Sequence, residues 1–584
     1  MRPQAPFVLL DDARPGGAPA RLYRDPVRVV EAREPAEVRP ALDTLRAARA
    51  QGLHAAGFLA YEAGAAFEPA APAGAPDGPL LWFGLFERWE EGPSAMPDPA
   101  GAWIGALAPC VDHATYAEAF AQVAELIRAG DLYQANLSFR ARAPVQGDPL
   151  ALYAALRARA GAGWGAVVAT GDATYLSFSP ELFFRLEGGR LTCRPMKGTA
   201  RRVAAPAQDR AAAQALAADP KQRAENLMIV DLMRNDLSRV AVAGSVAVPE
   251  LFTVESYPTV HQMVSAVTAE LAPDRDALDV IAAAFPCGSI TGAPKVGAMQ
   301  VLAKVERGPP RGLYTGSIGH LDAGGDAQFN VAIRTLTIRD GEAVLGLGSG
   351  LVADSDVDEE WDECLAKAAF LQAGERRFDL IETMAFDPEE GIVLLDHHMA
   401  RLKASAVAFG FKLDRHAARN ELQAATFRLR SPARVRLLLS RNGAVATETG
   451  PMPPAPPGPA EVAIVPLPVS PRDFRLRHKT TDRAFYDRAR RDAGTWEVLF
   501  EDGEGRLTEG SFTSLFVPRD GRLVTPPLAR GLLPGVLRAS LLADGRAEEG
   551  ELTRADLADG FLLGNALRGL IPARLAVARV EAAG

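Results

Sequence analysis

The sequence predicts an α+β protein of more than one domain, and three observations predict it. At 584 residues the chain is too long for one hydrophobic core, and about three to four domains or lobes is the expectation for that length. Strand-like runs, one of them a hairpin signal, and amphipathic helices both recur along it. A short polar junction at residues 374–377 (GERR) and a proline-rich run at 451–459 divide the chain into an N-terminal unit and a two-lobed C-terminal unit hinged near 451–460.

Composition narrows the class. Apolar residues make up 48% and charged residues 23%, the balance of an ordinary soluble globular protein. The formal charge of −9 leaves no footprint for nucleic acid or an anionic membrane surface, so an anionic ligand has to be held by local groups. No basic stretch followed by an apolar run opens the chain, and no uncharged apolar segment reaches the roughly 20 residues of a membrane span. The four cysteines, Cys110, Cys193, Cys287 and Cys364, lack metal-type spacing and read as reduced thiols of a cytoplasmic protein.

The elements follow in order. Residues 1–109 contribute short strands at 57–61 and 80–86. A helix is expected over 116–129, where Tyr116, Phe120, Val123 and Ile127 recur at helical spacing and Gly130 closes it. An extended segment follows at 132–143, then a helix opened by Asp148 and Pro149. Residues 182–186 and 191–194 flank Gly188 and Gly189 as a hairpin. Two registers are open: a two-residue loop sets Glu181 opposite Met196, and a three-residue loop with a bulge sets it opposite Lys197. A helix opening at Asp219 and Pro220 carries Glu225, which either complements the helix dipole or serves a site. The loop 285–295 (FPCGSITGAPK) precedes a helix near Val296 and offers amides, hydroxyls and Lys295 to an anion, though not in Walker A order. Glycines within 346–350 end a strand where a ligand can approach, and a helix within 351–368 puts Glu360, Glu363 and Lys367 on one face. With Glu225 these carboxylates form an all-oxygen set suited to Mg2+. Further on, a strand is expected at 378–384, a long helix at 395–411, and strands at 435–440 and 462–467 on either side of the proline-rich run.

Lysine is scarce, accounting for eight of the 64 basic residues. A chain that uses arginine for charge keeps lysine where a neutral amine is needed, because guanidinium does not deprotonate in proteins. Lys197 and Lys479 stand in segments that present such an amine.

Taken together, these segments resemble two families joined in one chain. Residues 110–370 resemble the chorismate-utilising enzymes through 130–137 (GDLYQANL), 179–181 (SPE), 195–199 (PMKGT), 225–236 (ENLMIVDLMRND), His261, 286–295, 314–316, Arg334 and 348–367. The resemblance implies a β-sandwich-and-helix domain over 1–373, chorismate as substrate, and Mg2+ held by Glu225 and Glu363 with Glu360 behind them. It implies Tyr314, Arg334, Gly350, Thr291 and Lys367 as substrate-binding residues, and His261 as the acid/base for loss of the ring hydroxyl. A further glutamate of some relatives is Gln222 here. Lys197 separates the branches. Anthranilate synthases carry alanine there; aminodeoxychorismate synthases use the lysine as a nucleophile at ring C2, with Glu181 as acid/base; salicylate and isochorismate synthases use it to activate water.

Residues 378–584 resemble the fold-type IV pyridoxal-phosphate enzymes, which include aminodeoxychorismate lyase and aminotransferases for branched-chain and D-amino acids. The carriers are 378–384 (FDLIETM), 398–406 (HMARLKASA), 478–483 (HKTTDR), 507–511 (LTEGS) and 533–538 (LPGVLR). The resemblance implies a Schiff base at Lys479 and Glu509 paired with the pyridine nitrogen. It implies a phosphate held by Arg401, the amides of Val536 and Leu537, and Asn565, in a domain able to pair as a homodimer. Ser514 stands where many relatives have Asn.

The fusion implies consecutive steps: amination of chorismate, then loss of pyruvate to give 4-aminobenzoate, the folate precursor. Two alternatives stand beside it. One is an isochorismate-, salicylate- or anthranilate-type enzyme joined to an aminotransferase; the other is a C-terminal half that is a catalytically inactive docking module. No cysteine sits in the glycine-rich elbow of a glutaminase, so ammonia is expected from a separate glutamine amidotransferase subunit or from solution.

Overall fold

The computed structural model describes residues 3–72, 74–92, 96–256, 260–372 and 377–576. Contacts gather the chain into two compact units. The first comprises Met1–Met96, Ala106–Ala143 and Tyr153–Ala373, and the second Pro97–Gly105, Pro144–Leu152 and Gly374–Gly584. Most of the junction expected at 374–377 lies outside the described residues.

The first unit is built on two large antiparallel sheets whose neighbours come from distant parts of the chain. One runs through Gly292–Ala293, Gln134–Gly147, Glu342–Leu351, Thr335–Arg339, Thr174–Ser179, Trp164–Ala169, Phe7–Asp11, Arg21–Arg24 and Glu90–Glu91. The other runs through Met196–Arg201, Val260–Glu270, Arg190–Arg194, Leu182–Glu187, Ala327–Asn330, Ser317–Leu321, His54–Leu59, Leu81–Phe86 and Arg28–Ala32, with Ala247–Ser256 pairing on Val260–Glu270. Side chains of a strand alternate between faces, and here both faces are apolar. Leu81, Phe83 and Leu85 join the core shared with the helices Pro35–Ala50, Pro220–Ser238 and Ala277–Ala284. Trp82 and Phe86 instead join Val8, Tyr23, Val168 and Tyr175 of the other sheet. The apolar run at 80–86 is therefore a strand covered on both sides, which is why it shows no polar alternation.

Helix boundaries follow their caps. Gly130, at φ 86°, ends His113–Ala129, and Asp219 caps Pro220–Ser238 by accepting from the amides of Lys221 and Gln222. The helix expected within 351–368 starts only at Val357, because Asp356 accepts from the amides of Asp358 and Glu359 and fixes the entry there.

The second unit has two sheets. A four-stranded one pairs Gly391–Ile392, Leu380–Asp387, Ala433–Leu439 and Val445–Pro451; an eight-stranded one includes Ala460–Pro466 running parallel to Glu497–Glu501 and Gly569–Leu575. The strand Val445–Pro451 is absent from the sequence expectation. Its alternating exposure and its Gly-Pro end disguise it as the start of the hinge. Phe378, Phe409 and Phe474 centre one core, which Trp103 completes edge-on to Phe409 at 5.0 Å. No helix among the described residues is long and apolar enough to cross a membrane.

Candidate functional site

The hairpin after Glu181 has the two-residue loop, with Glu187 facing Arg190 and Leu186 facing Leu191; a register shift then brings Leu182 opposite Arg194. The three-residue register is excluded, and the shift also undoes the partner expected from the two-residue loop: Glu181 is set opposite neither Lys197 nor Met196, which pairs with Val264. Lys197 lies beyond Pro195 on the strand Met196–Arg201, which pairs with Val260–Glu270 instead. The two groups still share a neighbourhood, since each shifts the other's protonation. Glu181 is buried, accepts from Ser289 Oγ at 2.6 Å, and is pushed up to about 7 by burial, against the pull of Ser289 and Lys197.

Gly350 explains how the amine is accommodated. A methyl group on Gly350 would lie 2.5 Å from Lys197 Nζ and 2.7 Å from Gln134 Nε2. The half-buried Lys197 has its pKa lowered, chiefly by burial and further by Lys367, with Glu225, Glu363 and Glu181 opposing. Gln134 is fully buried, and neither of its amide atoms has a hydrogen-bond partner among the described residues. The sequence reading does not single it out, although it lies inside the segment 130–137; only the packing reveals an amide spent on nothing.

Acidic groups surround this amine. Glu225 is not in the first turn of its helix, so the dipole explanation lapses. Its carboxyl is raised by burial and by the negative Glu360 and Asp354, while Lys197 and Lys221 oppose. Glu363 pairs with Lys367 at 2.8 Å, and Lys367 Nζ also donates to the carbonyl of Gly348 at 2.8 Å. Glu360 accepts from Ser355 Oγ at 2.6 Å. Among the described residues no three acidic, thiol or imidazole groups stand close enough to cage an ion. The donors are nonetheless the oxygen set a hard cation takes, and carboxylates that crowd one another, as Glu360 crowds Glu225, are relieved by a cation.

The remaining expected residues divide. Tyr314 is buried with its ring against Gly346 and its hydroxyl near Gly348, and the Arg140 guanidinium sits 5.0 Å from the ring centroid. Arg334 holds a φ of 50°, and its carbonyl accepts from the Phe178 amide at 3.1 Å. Thr291 is buried, with its hydroxyl donating to the carbonyls of Cys287 and Gly288. Lys295 donates to Asp236 at 2.6 Å and to the carbonyl of Ala284 at 2.9 Å, so this loop secures its own fold instead of presenting that cation to an anion. His261 is buried with one ring nitrogen 2.9 Å from Ser256 Oγ and the other 3.0 Å from Asp209 Oδ1.

A second centre lies in the second unit. Burial, aided by Arg401, brings the Lys479 amine down to about 7. Arg401 is clamped by both oxygens of Glu382, at 2.8 and 2.5 Å, and donates to the carbonyl of Pro534 at 3.1 Å. The same carboxylate bonds His398 Nδ1 at 2.6 Å and is held down to about 2: burial would raise it, but Arg401 and His398 prevail. Glu509 is buried, pushed up to about 7 by burial, and accepts from Tyr486 Oη at 2.6 Å and the Leu533 amide at 3.0 Å. Val536 and Leu537 open the helix Val536–Ala543, whose N-cap Gly535 would place a methyl 2.5 Å from Ser514 Oγ. Asn565 braces a turn, its amide nitrogen donating to the Phe512 carbonyl and its oxygen accepting from the amides of Leu567 and Arg568. Glu497 fastens the loop after Glu509 through the amides of Ser511 and Phe512 and the hydroxyls of Ser511 and Thr513. A half-buried amine whose pKa is brought down to about 7, a buried carboxyl, an arginine and a helix start fit a phosphorylated pyridine aldehyde. Two buried nitrogens, His398 Nε2 and the donor Arg483 Nη1, have no hydrogen-bond partner among the described residues.

Residues 5–373 match the chorismate binding enzyme family, and residues 379–576 match amino-transferase class IV. Aminodeoxychorismate synthase component 1 of Salmonella typhimurium is 46% identical over 266 residues, which cover 46% of this chain and 58% of that protein. The Escherichia coli protein of the same name is 45% identical over 252 residues, covering 43% of this chain and 55% of its own. The chain thus spans between half and two thirds of the length of these relatives. In fold, it is similar to anthranilate synthase component I from Streptococcus pneumoniae, with a TM-score of 0.53 at 24% identity over 64% of this chain and 93% of that one. The menaquinone-specific isochorismate synthase from Escherichia coli gives 0.51 at 20% identity, over 63% and 88%.

Proposed function

The chain belongs to the chorismate binding enzymes and carries a class IV amino-transferase domain behind that region, and from that premise we propose that it converts chorismate to 4-aminobenzoate in two steps. The domains of this proposal are residues 1–373 for amination and 378–584 for elimination. One observation carries the reading: Lys197 Nζ, with a depressed pKa, stands at Gly350 among Glu181, Glu225 and Glu363. That is a nucleophilic amine beside an acid that holds its proton near neutrality.

In the first step the Lys197 amine adds at ring C2 while the C4 hydroxyl departs as water, taking a proton from Glu181. Ammonia then adds at C4 and the C2–nitrogen bond breaks, returning free lysine. Chorismate plus ammonia thus gives 4-amino-4-deoxychorismate plus water. Gln134 has both amide atoms free to bond the substrate or the incoming ammonia. Tyr314 and Arg334 take a substrate carboxylate, with Thr291 and Lys367 alongside. His261, tied to Asp209 and Ser256, assists the proton movements at the ring hydroxyl. Glu225 and Glu363, with Glu360, would hold Mg2+, which supplies charge neutralisation to a substrate carboxylate. Ammonia comes from a separate glutamine amidotransferase, as the name component 1 of the Salmonella typhimurium and Escherichia coli relatives suggests.

In the second step Lys479 would be the attachment point and proton carrier, Glu509 would pair with the pyridine nitrogen, and Arg401 with the helix start at Val536 and Leu537 and Asn565 would hold the phosphate. Pyridoxal phosphate supplies an electron sink there; the products are 4-aminobenzoate and pyruvate. Incubating purified protein with chorismate, Mg2+ and ammonium, with and without pyridoxal phosphate, tests the whole reading. The expected products are 4-amino-4-deoxychorismate alone without the cofactor and 4-aminobenzoate with it. Salicylate or isochorismate as the only product would overturn it.

A further inference from the structure

We propose that Arg483 is a cofactor-binding residue of the second centre, donating Nη1–H to the phenolic oxygen of the pyridine ring and so weakening the hold of the Lys479 nitrogen on its proton. The inference rests on reading Lys479 as the attachment point, and it assigns a contact beyond that reading. Four features support it.

First, Arg483 is fixed. Nη2 donates to the Ser511 carbonyl at 3.2 Å, and the guanidinium lies 4.2 Å from the Tyr486 ring centroid. Tyr486 is itself anchored on Glu509, and Ser511 on Glu497. Second, Nη1 is buried and has no hydrogen-bond partner among the described residues. A fold seldom strands a charged donor unless something absent from the protein alone accepts from it. Third, the two arginines nearest in role differ. Arg401 is neutralised by Glu382, whereas Arg483 bonds the Ser511 carbonyl and lies over the Tyr486 ring and, among the described residues, pairs with no carboxylate. Fourth, Arg483 acts on both poles of the centre, lowering the pKa of Lys479 and that of Glu509.

The cofactor's chemistry says what a cation there would meet. Its aldehyde carbon, to which a lysine nitrogen binds with loss of water, is adjacent on the ring to a phenolic oxygen. That oxygen and the bound nitrogen compete for one proton. A guanidinium N–H aimed at the oxygen favours its anion and releases the proton from nitrogen. The other charged groups facing Lys479 are Arg401, Glu382, Arg436 and His398; those facing Arg483 are Glu509 and Tyr486.

The test is a pH titration of the visible band formed when the full-length protein takes up pyridoxal phosphate, together with cofactor affinity from fluorescence quenching. Arg483→Gln is expected to raise the spectral pKa by about one unit or more and to weaken cofactor binding about fivefold. Arg483→Lys, which keeps the charge and loses the fork, is expected to fall between Arg483→Gln and the unaltered protein; it decides the matter if the glutamine variant does not fold. A Lys479-dependent band whose pKa and affinity are the same in Arg483→Lys or Arg483→Gln as in the unaltered protein overturns this inference alone. Absence of any Lys479-dependent band in the unaltered protein overturns the reading of the centre itself.

Discussion

At the scale of single residues, the proposed amination rests on Lys197 and Glu181. An amine that must lose its proton cannot be replaced by a guanidinium, so charge conservation is no protection here. Lys197→Arg and Lys197→Ala are both expected to lower chorismate consumption by about 10²-fold or more, the scale on which covalent and acid/base groups act; retention of normal turnover in either variant would remove the covalent step. Glu181 titrates near 7 because burial disfavours its charge. As the proposed acid it serves while protonated, so the rate is expected to fall as pH rises through 7. Glu181→Gln is expected to be slower at every pH and to lack that descending limb in kcat/KM. A limb that persists unchanged in the variant assigns it to another group.

At the scale of elements, two glycines in one strand, Glu342–Leu351, separate function from folding. A methyl at Gly346 would press within 2.0 Å of the Tyr314 ring, which is buried and cannot yield; one at Gly350 would meet the far ends of Lys197 and Gln134, which can. Gly346→Ala is therefore expected to cost stability, by about 1–3 kcal/mol as overpacking does, with a lowered melting temperature. Gly350→Ala is expected to melt almost as the unaltered protein does while turning over chorismate at least about tenfold more slowly through the displaced amine. Equal melting losses in the two variants would defeat the distinction. The same strand shows what a sequence can and cannot convey. That glycines end it and admit a close approach is legible at 346–350, and the caps at Asp219 and Gly130 are legible because local chemistry decides them. Pairing is not legible. Gln134–Gly147 lies between Gly292–Ala293 and Glu342–Leu351, and nothing local couples segments so far apart. For that reason the hairpin register at Glu181 stays ambiguous in sequence, and Gln134 and Arg483 pass unnoticed: their significance is an unpaired atom, which only packing creates. The Glu382 clamp on Arg401 is hidden in the same way, though both residues lie in recognisable segments.

At the scale of the whole molecule, the contact units and the sequence halves do not coincide, and this bears on how the chain can be divided. Trp103 and residues 144–152 belong by contact to the second unit, where Trp103 closes the core around Phe409 and Ser470 Oγ bonds Asp148 at 2.7 Å. Residues 378–584 expressed alone are thus expected to lack part of their core, and Trp103→Ala in the full chain to cost the second unit about 3–5 kcal/mol. The variant is expected to release pyridoxal phosphate at a lower temperature while consuming chorismate at nearly the normal rate. If two consecutive reactions are housed in separate units, each must fail separately. Lys197→Ala is expected to leave chorismate untouched yet convert supplied 4-amino-4-deoxychorismate to 4-aminobenzoate and pyruvate. Lys479→Ala is expected to consume chorismate and accumulate the aminated intermediate. Mixing the two variants is then expected to restore 4-aminobenzoate formation, with a lag that shortens as enzyme concentration rises, because the intermediate must pass through solution. Product analysis by chromatography reads all three mixtures. A Lys479→Ala protein that still forms 4-aminobenzoate enzymatically, or a Lys197→Ala protein unable to process the intermediate while still binding pyridoxal phosphate, would show that the two lysines do not divide the pathway between them.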